Sequence, residues 1–285
     1  MDARTPGRNH CALIAAIALG AGLAPIAAAD IIYNGFDDTF GLNLYGAAAT
    51  TPDPLGGEQK VLRMTTAEES TVGSVWAQEQ VRIGLDWETR ITFRISERGG
   101  PGGLNDLAGA DGLAMVIQAE SPTLHAVNSS TLGGGIGYNQ LTRSLAIEFD
   151  TWKNERADDP NANHISVQAP LTGLATTSHQ ADSIALASEI PNLSDGSLHT
   201  VRIAYIDGIL SVEFANIDNP VLSVAVNIPG TLGVQDGLAY VGFTSATGGC
   251  WENHDIYAWS FTVVPAPASL GLLGLGGLLA ARRRR

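Results

Sequence analysis

The chain is nearly without cysteine: Cys11 and Cys250 are the only two in 285 residues. Cys11 sits in an apolar N-terminal run with the features of a leader, so a processed chain keeps Cys250 alone and an intrachain disulfide is excluded. Cys250 then reads as a partly shielded thiol in a loop. Charge is sparse as well, at 16% of residues, and positive charge is sparsest, with 16 Lys and Arg against 29 Asp and Glu. Removing Asp2, Arg4, Arg8 and Arg282–Arg285 with the two ends leaves ten basic and twenty-eight acidic residues, a net charge of −18. Such a surface repels phosphate backbones and acidic headgroups, which excludes nucleic acid and anionic lipid as partners. Long segments with apolar residues every three to four positions are missing inside the chain, which argues against a helical fold. No Ser-His-Asp set and no phosphate-binding glycine loop is found.

What is present divides the chain into three. In residues 1–29, Arg4 and Arg8 precede the apolar run Cys11–Leu23, and Ala27-Ala28-Ala29 offers a small-residue cleavage site before Asp30. That is the pattern of a secretory signal peptide, too short and wrongly flanked for a membrane span. Residues 264–285 form a tail of Val264-Pro265-Ala266-Pro267-Ala268-Ser269, an apolar Leu270–Ala281 and four arginines. Its apolar part is shorter than an ordinary spanning helix, and its arginines would stay cytoplasmic. Residues 30–263 are the body, about 230 residues, enough for one large domain with a substantial core.

That body reads as strands. Period-2 runs recur at Val81–Leu85, Arg90–Ile95, Val201–Tyr205 and Leu210–Phe214, and Asp207-Gly208 is a hairpin turn between the last two. Thirty-three glycines supply turns and loops. The expectation is an all-β fold, a jelly-roll sandwich of two antiparallel sheets.

Its chemistry concentrates between Glu148 and His164. Leu145, Ile147 and Phe149 alternate with Ala146, Glu148 and Asp150, so a strand here buries one face and directs both carboxylates from the other. Thr151–Pro160 is a polar loop closed by the turn signal Asp159-Pro160, and His164-Ile165-Ser166-Val167 resumes a strand with His164 and Ser166 on one side. Two neighbouring strands and their loop can thus converge Glu148, Asp150, Asn154, Asp159 and His164 on one point. Carboxylates held that close repel unless some stay protonated or a cation joins them. Hard oxygen ligands at the front and one imidazole at the back suit calcium beside a transition metal.

This segment resembles the metal-binding loop of the legume-type (L-type) lectins, matching that family at all five ligand positions. The resemblance implies that Glu148, Asp150, Asp159 and His164 hold a transition metal, usually Mn2+. It implies that Asp150, Asn154, Asp159 and the carbonyl of Trp152 hold Ca2+. Further motifs follow in the family's order. Ala110-Asp111-Gly112 resembles the strand whose aspartate accepts sugar hydroxyls after a cis peptide. Leu132-Gly133-Gly134-Gly135-Ile136-Gly137-Tyr138 resembles the glycine-rich loop whose backbone N–H approaches the sugar, with Gly134 the preferred contact and Gly135 the alternative. Arg90–Ser96 resembles a front-half strand, and Val241–Gly248 and His254–Phe261 resemble the last strands. Between those last strands, the loop Gly249–Asn253, with Gly249 and Trp251, would tune sugar choice.

The fold implied is concanavalin-like, and the function a secreted or cell-surface, metal-dependent lectin for glycans or extracellular polysaccharide. Trp152 would stack on the sugar ring and Asn154 would bond its hydroxyls. Homo-oligomers formed through the back sheet are among the partners the resemblance allows. The tail resembles the PEP-CTERM sorting signal of bacteria that make extracellular polysaccharide, with Ala266 where glutamate is usual. That implies transient membrane contact before a protease removes the tail. His125, His179 and His199 have no partner pattern and read as ordinary strand or loop residues, and His254 as structural.

Two other classes remain. Glucanases with a similar sandwich carry Glu-x-Asp-x-x-Glu on one strand. Here Glu148-Phe149-Asp150 begins that pattern but Lys153 occupies the third place and Glu155 falls in the loop, so no enzymatic activity is expected. An adhesion or matrix protein could keep the metal loop as a staple while binding protein, since Gly248-Gly249-Cys250-Trp251 departs from familiar specificity loops.

Overall fold

The computed structural model describes residues 30–101, 109–125, 130–170 and 175–264. The expected leader and the tail beyond Val264 lie outside the described residues. Sixteen strands are found among them: β1 (Ile31–Tyr33), β2 (Leu42–Gly46), β3 (Ala49–Pro52), β4 (Lys60–Thr65), β5 (Val72–Ala77), β6 (Val81–Arg82), β7 (Trp87–Gly99), β8 (Gly112–Gln118), β9 (Ser144–Asp150), β10 (His164–Gln168), β11 (Ser183–Ala187), β12 (Leu198–Ile206), β13 (Ile209–Phe214), β14 (Leu222–Ala225), β15 (Leu238–Ala246) and β16 (Trp251–Val263). They pair antiparallel into two sheets. The first runs β14-β13-β12-β7-β16-β4-β3, with β1 also on β16, and the second runs β11-β10-β9-β8-β15-β5-β2, with β6 also on β15. This is the expected all-β jelly-roll sandwich, its strands foreseen from the period-2 runs and its particular arrangement from the family resemblance.

Alternation along the strands builds the core. Leu113, Met115 and Ile117 of β8, Leu145, Ile147 and Phe149 of β9, and Val241 and Phe243 of β15 face the first sheet and are buried. Ile91, Phe93 and Ile95 of β7 and Trp259 and Phe261 of β16 meet them. Phe93 packs on Phe149 across the gap at 5.3 Å between ring centroids, and Phe243 meets Trp259 edge-on at 4.9 Å. Each large side chain buried this way contributes about 1.5–3 kcal/mol.

The opposite face of the second sheet is buried too. Trp76, Ala114, Val116 and Ala146 point outward there and are covered by Ile136, Tyr138, Leu141 and Ala175. The Trp76 indole N–H donates to the Leu124 carbonyl at 2.8 Å. The polar positions of β9 therefore face an overlying loop layer rather than open water.

Asp207 and Gly208 both take positive φ (50° and 79°), and join β12 to β13 as the expected two-residue hairpin. The run Arg90–Ile95 is the middle of the thirteen-residue β7. The expected strand Val81–Leu85 is cut to Val81–Arg82. Ile83 donates its N–H back to the Val81 carbonyl at 3.2 Å and Gly84 bonds Gly237, so the chain turns away from the sheet there.

Candidate functional site

Strand register sets the site. On the loop-covered face of the second sheet, Asp150 of β9 lies beside Gly112 of β8 and His164 of β10, and Glu148 lies beside Ala114 and Ser166. The following loop returns Asp159 to the same place. Ligand atoms of Asp150, Asp159 and His164 lie within 4.8 Å of one another, and so do those of Glu148, His164 and His179. All four acidic and imidazole residues expected from sequence converge, and all are buried.

His179 was expected to be ordinary and is not. It opens a short helical turn (His179–Asp182), and its Nε2 lies 3.0 Å from His164 Nε2 and 3.3 Å from Asp159 Oδ1. It arrives from a separate loop, so no spacing rule tied to Glu148–His164 could have revealed it.

The cluster is electrostatically costly without a cation. Burial first, then Glu148 and Asp159, pushes the Asp150 carboxyl well above its ordinary value. Burial also raises Glu148, against hydrogen bonds from Ser166 (2.7 Å) and Gln168 (3.2 Å) to its Oε2. Its Oε1 is buried with no hydrogen-bond partner among the described residues. Burial holds His164 down to about 4, so the ring is neutral at pH 7. His164 Nδ1 lies 3.0 Å from the Asn161 carbonyl, which can only accept, so the proton sits on Nδ1 and the Nε2 lone pair faces the cluster. An orphaned carboxylate oxygen and an imidazole lone pair directed into the cluster together fit divalent cations.

Beside the cluster opens a pocket of about 450 Å3 whose lining includes Asp111, Gly134, Trp152, Asn154, Gly249 and Cys250. The Ala110–Asp111 peptide is cis, as the family resemblance implies. Asp111 Oδ2 has no hydrogen-bond partner among the described residues, and burial, then Glu252 and Asp159, pushes its carboxyl up to about 8. Gly134 sits against Asn154: a Cβ there would lie 2.5 Å from Asn154 Oδ1, so any side chain would push the Asn154 amide from its place. Pocket and cluster are joined through the backbone. Trp152 N–H donates to Asp150 Oδ1 at 2.7 Å, and Asn154 N–H to Asp159 Oδ2 at 2.5 Å.

Two expected sugar contacts lie elsewhere. Gly135 is buried in the turn Gly133–Gly135, where a Cβ would lie 2.4 Å from the Ser130 carbonyl oxygen. Trp251 opens β16 with its indole against Gly99, outside the pocket lining. Cys250 is buried at the pocket wall. His254 is structural, with Nδ1 2.6 Å from the Thr65 hydroxyl. Lys153 pairs with Glu155 at 3.1 Å in the exposed loop, so no third acid joins Glu148 and Asp150 on the strand.

Comparison with known proteins agrees with this architecture. A family model described as the legume lectin beta-barrel domain matches residues 32–260. The L-type lectin-domain containing receptor kinase VII.1 of Arabidopsis thaliana is 26% identical over 84% of this chain and 35% of its own length. The chain thus spans about a third of the length of such relatives. Among solved structures, the lectin from Bauhinia forficata in complex with GalNAc superposes with a TM-score of 0.63 at 21% identity, covering 84% of this chain and 99% of that one. The Ca2+- and mannose-bound VIP36 lumenal domain gives 0.56 at 18% identity, covering 79% and 84%.

Proposed function

The chain belongs to the legume lectin domain family, and from that premise we propose that it is an exported carbohydrate-binding protein with a metal-ordered site. Sugar hydroxyls are dense, directional donors and acceptors, so selective binding needs an anionic acceptor, an amide and a backbone N–H held in fixed positions. Asp111 supplies the carboxylate, Asn154 the amide and Gly134 the backbone N–H, with Gly135 supporting the loop. The Trp152 ring covers the apolar face of the sugar. Gly249 borders the pocket, and Trp251 acts on it by fixing the start of β16.

Glu148, Asp150, Asp159 and His164 would hold a transition metal, with Mn2+ the family's usual ion. Asp150, Asn154, Asp159 and the Trp152 carbonyl would hold Ca2+. Bound cations supply the positive charge that lets these buried acids ionise together. Asp150 and Asp159 then keep accepting from Trp152 and Asn154, so the loop meets carbohydrate already ordered and little conformational entropy is lost.

One observation carries the reading: Trp152 and Asn154 each line the pocket and each bond a carboxylate of the cluster. The test is a glycan array probed with the purified protein, with Ca2+ and Mn2+ and after exhaustive chelation. Glycan binding that is lost on chelation while the sandwich stays folded is the expected result. Undiminished binding by demetallated protein would refute the role of the ions, and an array silent under both conditions would refute the carbohydrate reading. The organisation extends to the ends: residues 1–29 direct export and residues 264–285 make transient membrane contact until removed, leaving domain 30–263 outside the cell against extracellular polysaccharide.

A further inference from the structure

We propose that His179 is a fifth protein ligand at the transition-metal position, making that position selective for zinc, cobalt or nickel over manganese. The inference rests on the metal reading above and adds to it a residue and a preference. Two donor atoms about 2.1 Å from one ion and at right angles stand about 3.0 Å apart. His164 Nε2 and His179 Nε2 are 3.0 Å apart, and His179 Nε2 is 3.3 Å from Asp159 Oδ1.

The surroundings favour ligation over a simple ion pair. The His164 proton is held on Nδ1 by Asn161, so a lone pair on Nε2 points toward the His179 ring. Glu148 belongs to the same group of donors and keeps one buried oxygen with no partner among the described residues. His179 Nδ1 is buried and has no hydrogen-bond partner among the described residues, so it can take the proton that ligation through Nε2 displaces. The His179 side chain is only 8% exposed, which keeps bulk water from the position the ring occupies.

Its placement is also fixed. Asp182, at the end of the same turn, accepts the Thr176 N–H at 2.7 Å, and the N–H groups of Ala181 and Asp182 bond the Ser178 carbonyl. The ring therefore stands ready against Asp159 and His164. Three carboxylates and one imidazole suit manganese, whereas a second imidazole in place of a water shifts the balance toward metals that imidazole binds well.

The test counts imidazoles. Metal-free protein is loaded with Ca2+ and then Co2+, and the proton spectrum is searched for strongly shifted imidazole N–H signals that vanish in D2O. Two such signals are expected in the native protein and one each in His179→Gln and His164→Gln. Zn2+ competition against a chromophoric chelator should show His179→Gln weakened at least about tenfold, with Ca2+ affinity changed less than about twofold. One signal in the native protein would overturn the inference while leaving the metal reading intact. Failure of Co2+ to bind at all would overturn both. The native count decides the matter even if a variant does not fold.

Discussion

Asp111 bears the sharpest conflict at the scale of single residues. Burial and the charges of Glu252 and Asp159 push its carboxyl up to about 8, and one of its oxygens has no partner among the described residues. The folded domain therefore holds a proton there that the unfolded chain releases near the ordinary value of 3.8. Between these two values the unfolded state binds fewer protons, so the metal-free domain loses stability at this group as pH rises from about 4 to about 8. Asp111→Asn removes that slope. Melting curves of metal-free protein should separate progressively over that range, with the variant gaining on the native chain, and parallel curves would count against the assignment. In metal-loaded protein, where the nearby cations let Asp111 ionise, the same substitution should weaken glycan binding about 10- to 100-fold, since hydrogen bonds to a charged acceptor are worth about 1.5–3 kcal/mol. Glu148 and Asp150 were legible because they interrupt an apolar alternation whose partners, Ile147 and Phe149, had to face inward. His179 was not, because its role comes from a loop brought alongside by the fold and from no local pattern.

Among the elements, the pairing of β9 with its loop does most to shape the site. Asp150 ends the strand and fixes Trp152, while Asp159 returns and fixes Asn154. Opposite them, the turn Gly133–Gly135 approaches so closely that Gly134 has no room for a side chain beside Asn154. Gly134→Ala should therefore displace the Asn154 amide and lower glycan affinity about tenfold or more. The turn itself is at the surface of the sandwich, so the melting temperature should move by no more than about 2–4 °C. Calorimetric titration with a glycan identified on the array, paired with thermal melts, separates these effects; unchanged affinity would remove Gly134 and Asn154 from the contact. Strand periods foretold the strands and the Asp207-Gly208 hairpin, and the family resemblance their arrangement in two sheets. They did not foretell that Ile136, Tyr138 and Leu141 would roof the polar face of β9. Alternation reports which side chains leave the core, whereas what they meet next depends on distant chain. The shortened β6 has a similar origin, because the contact of Gly84 with Gly237 outweighs the local strand pattern.

At the scale of the whole molecule, charge sets which carbohydrates can approach. The exported domain would carry −18, and two divalent cations in the site would leave most of that excess unbalanced. Long-range repulsion acts on an approaching uronic-acid or sulfated polymer before any contact in the pocket forms, and it is screened beyond about 8 Å at physiological salt. A neutral glycan has no such barrier. Affinity for a neutral oligosaccharide should hence be nearly independent of ionic strength. An acidic polysaccharide presenting the same sugar should bind more weakly at about 20 mM salt and recover several-fold at about 500 mM. Calorimetry on the two ligands over that range checks the contrast. Acidic polymer that binds more tightly as salt is lowered would mean that a local basic patch, and not the net charge, governs the encounter. Arg63 is bound bidentate by Asp255, and Arg202 is engaged by Glu88 and Glu213, so these arginines are already neutralised within the first sheet. The electrostatic preference thus follows from the excess of acids over the whole surface, while recognition in the proposed reading rests on Asp111, Asn154 and Trp152 at the pocket.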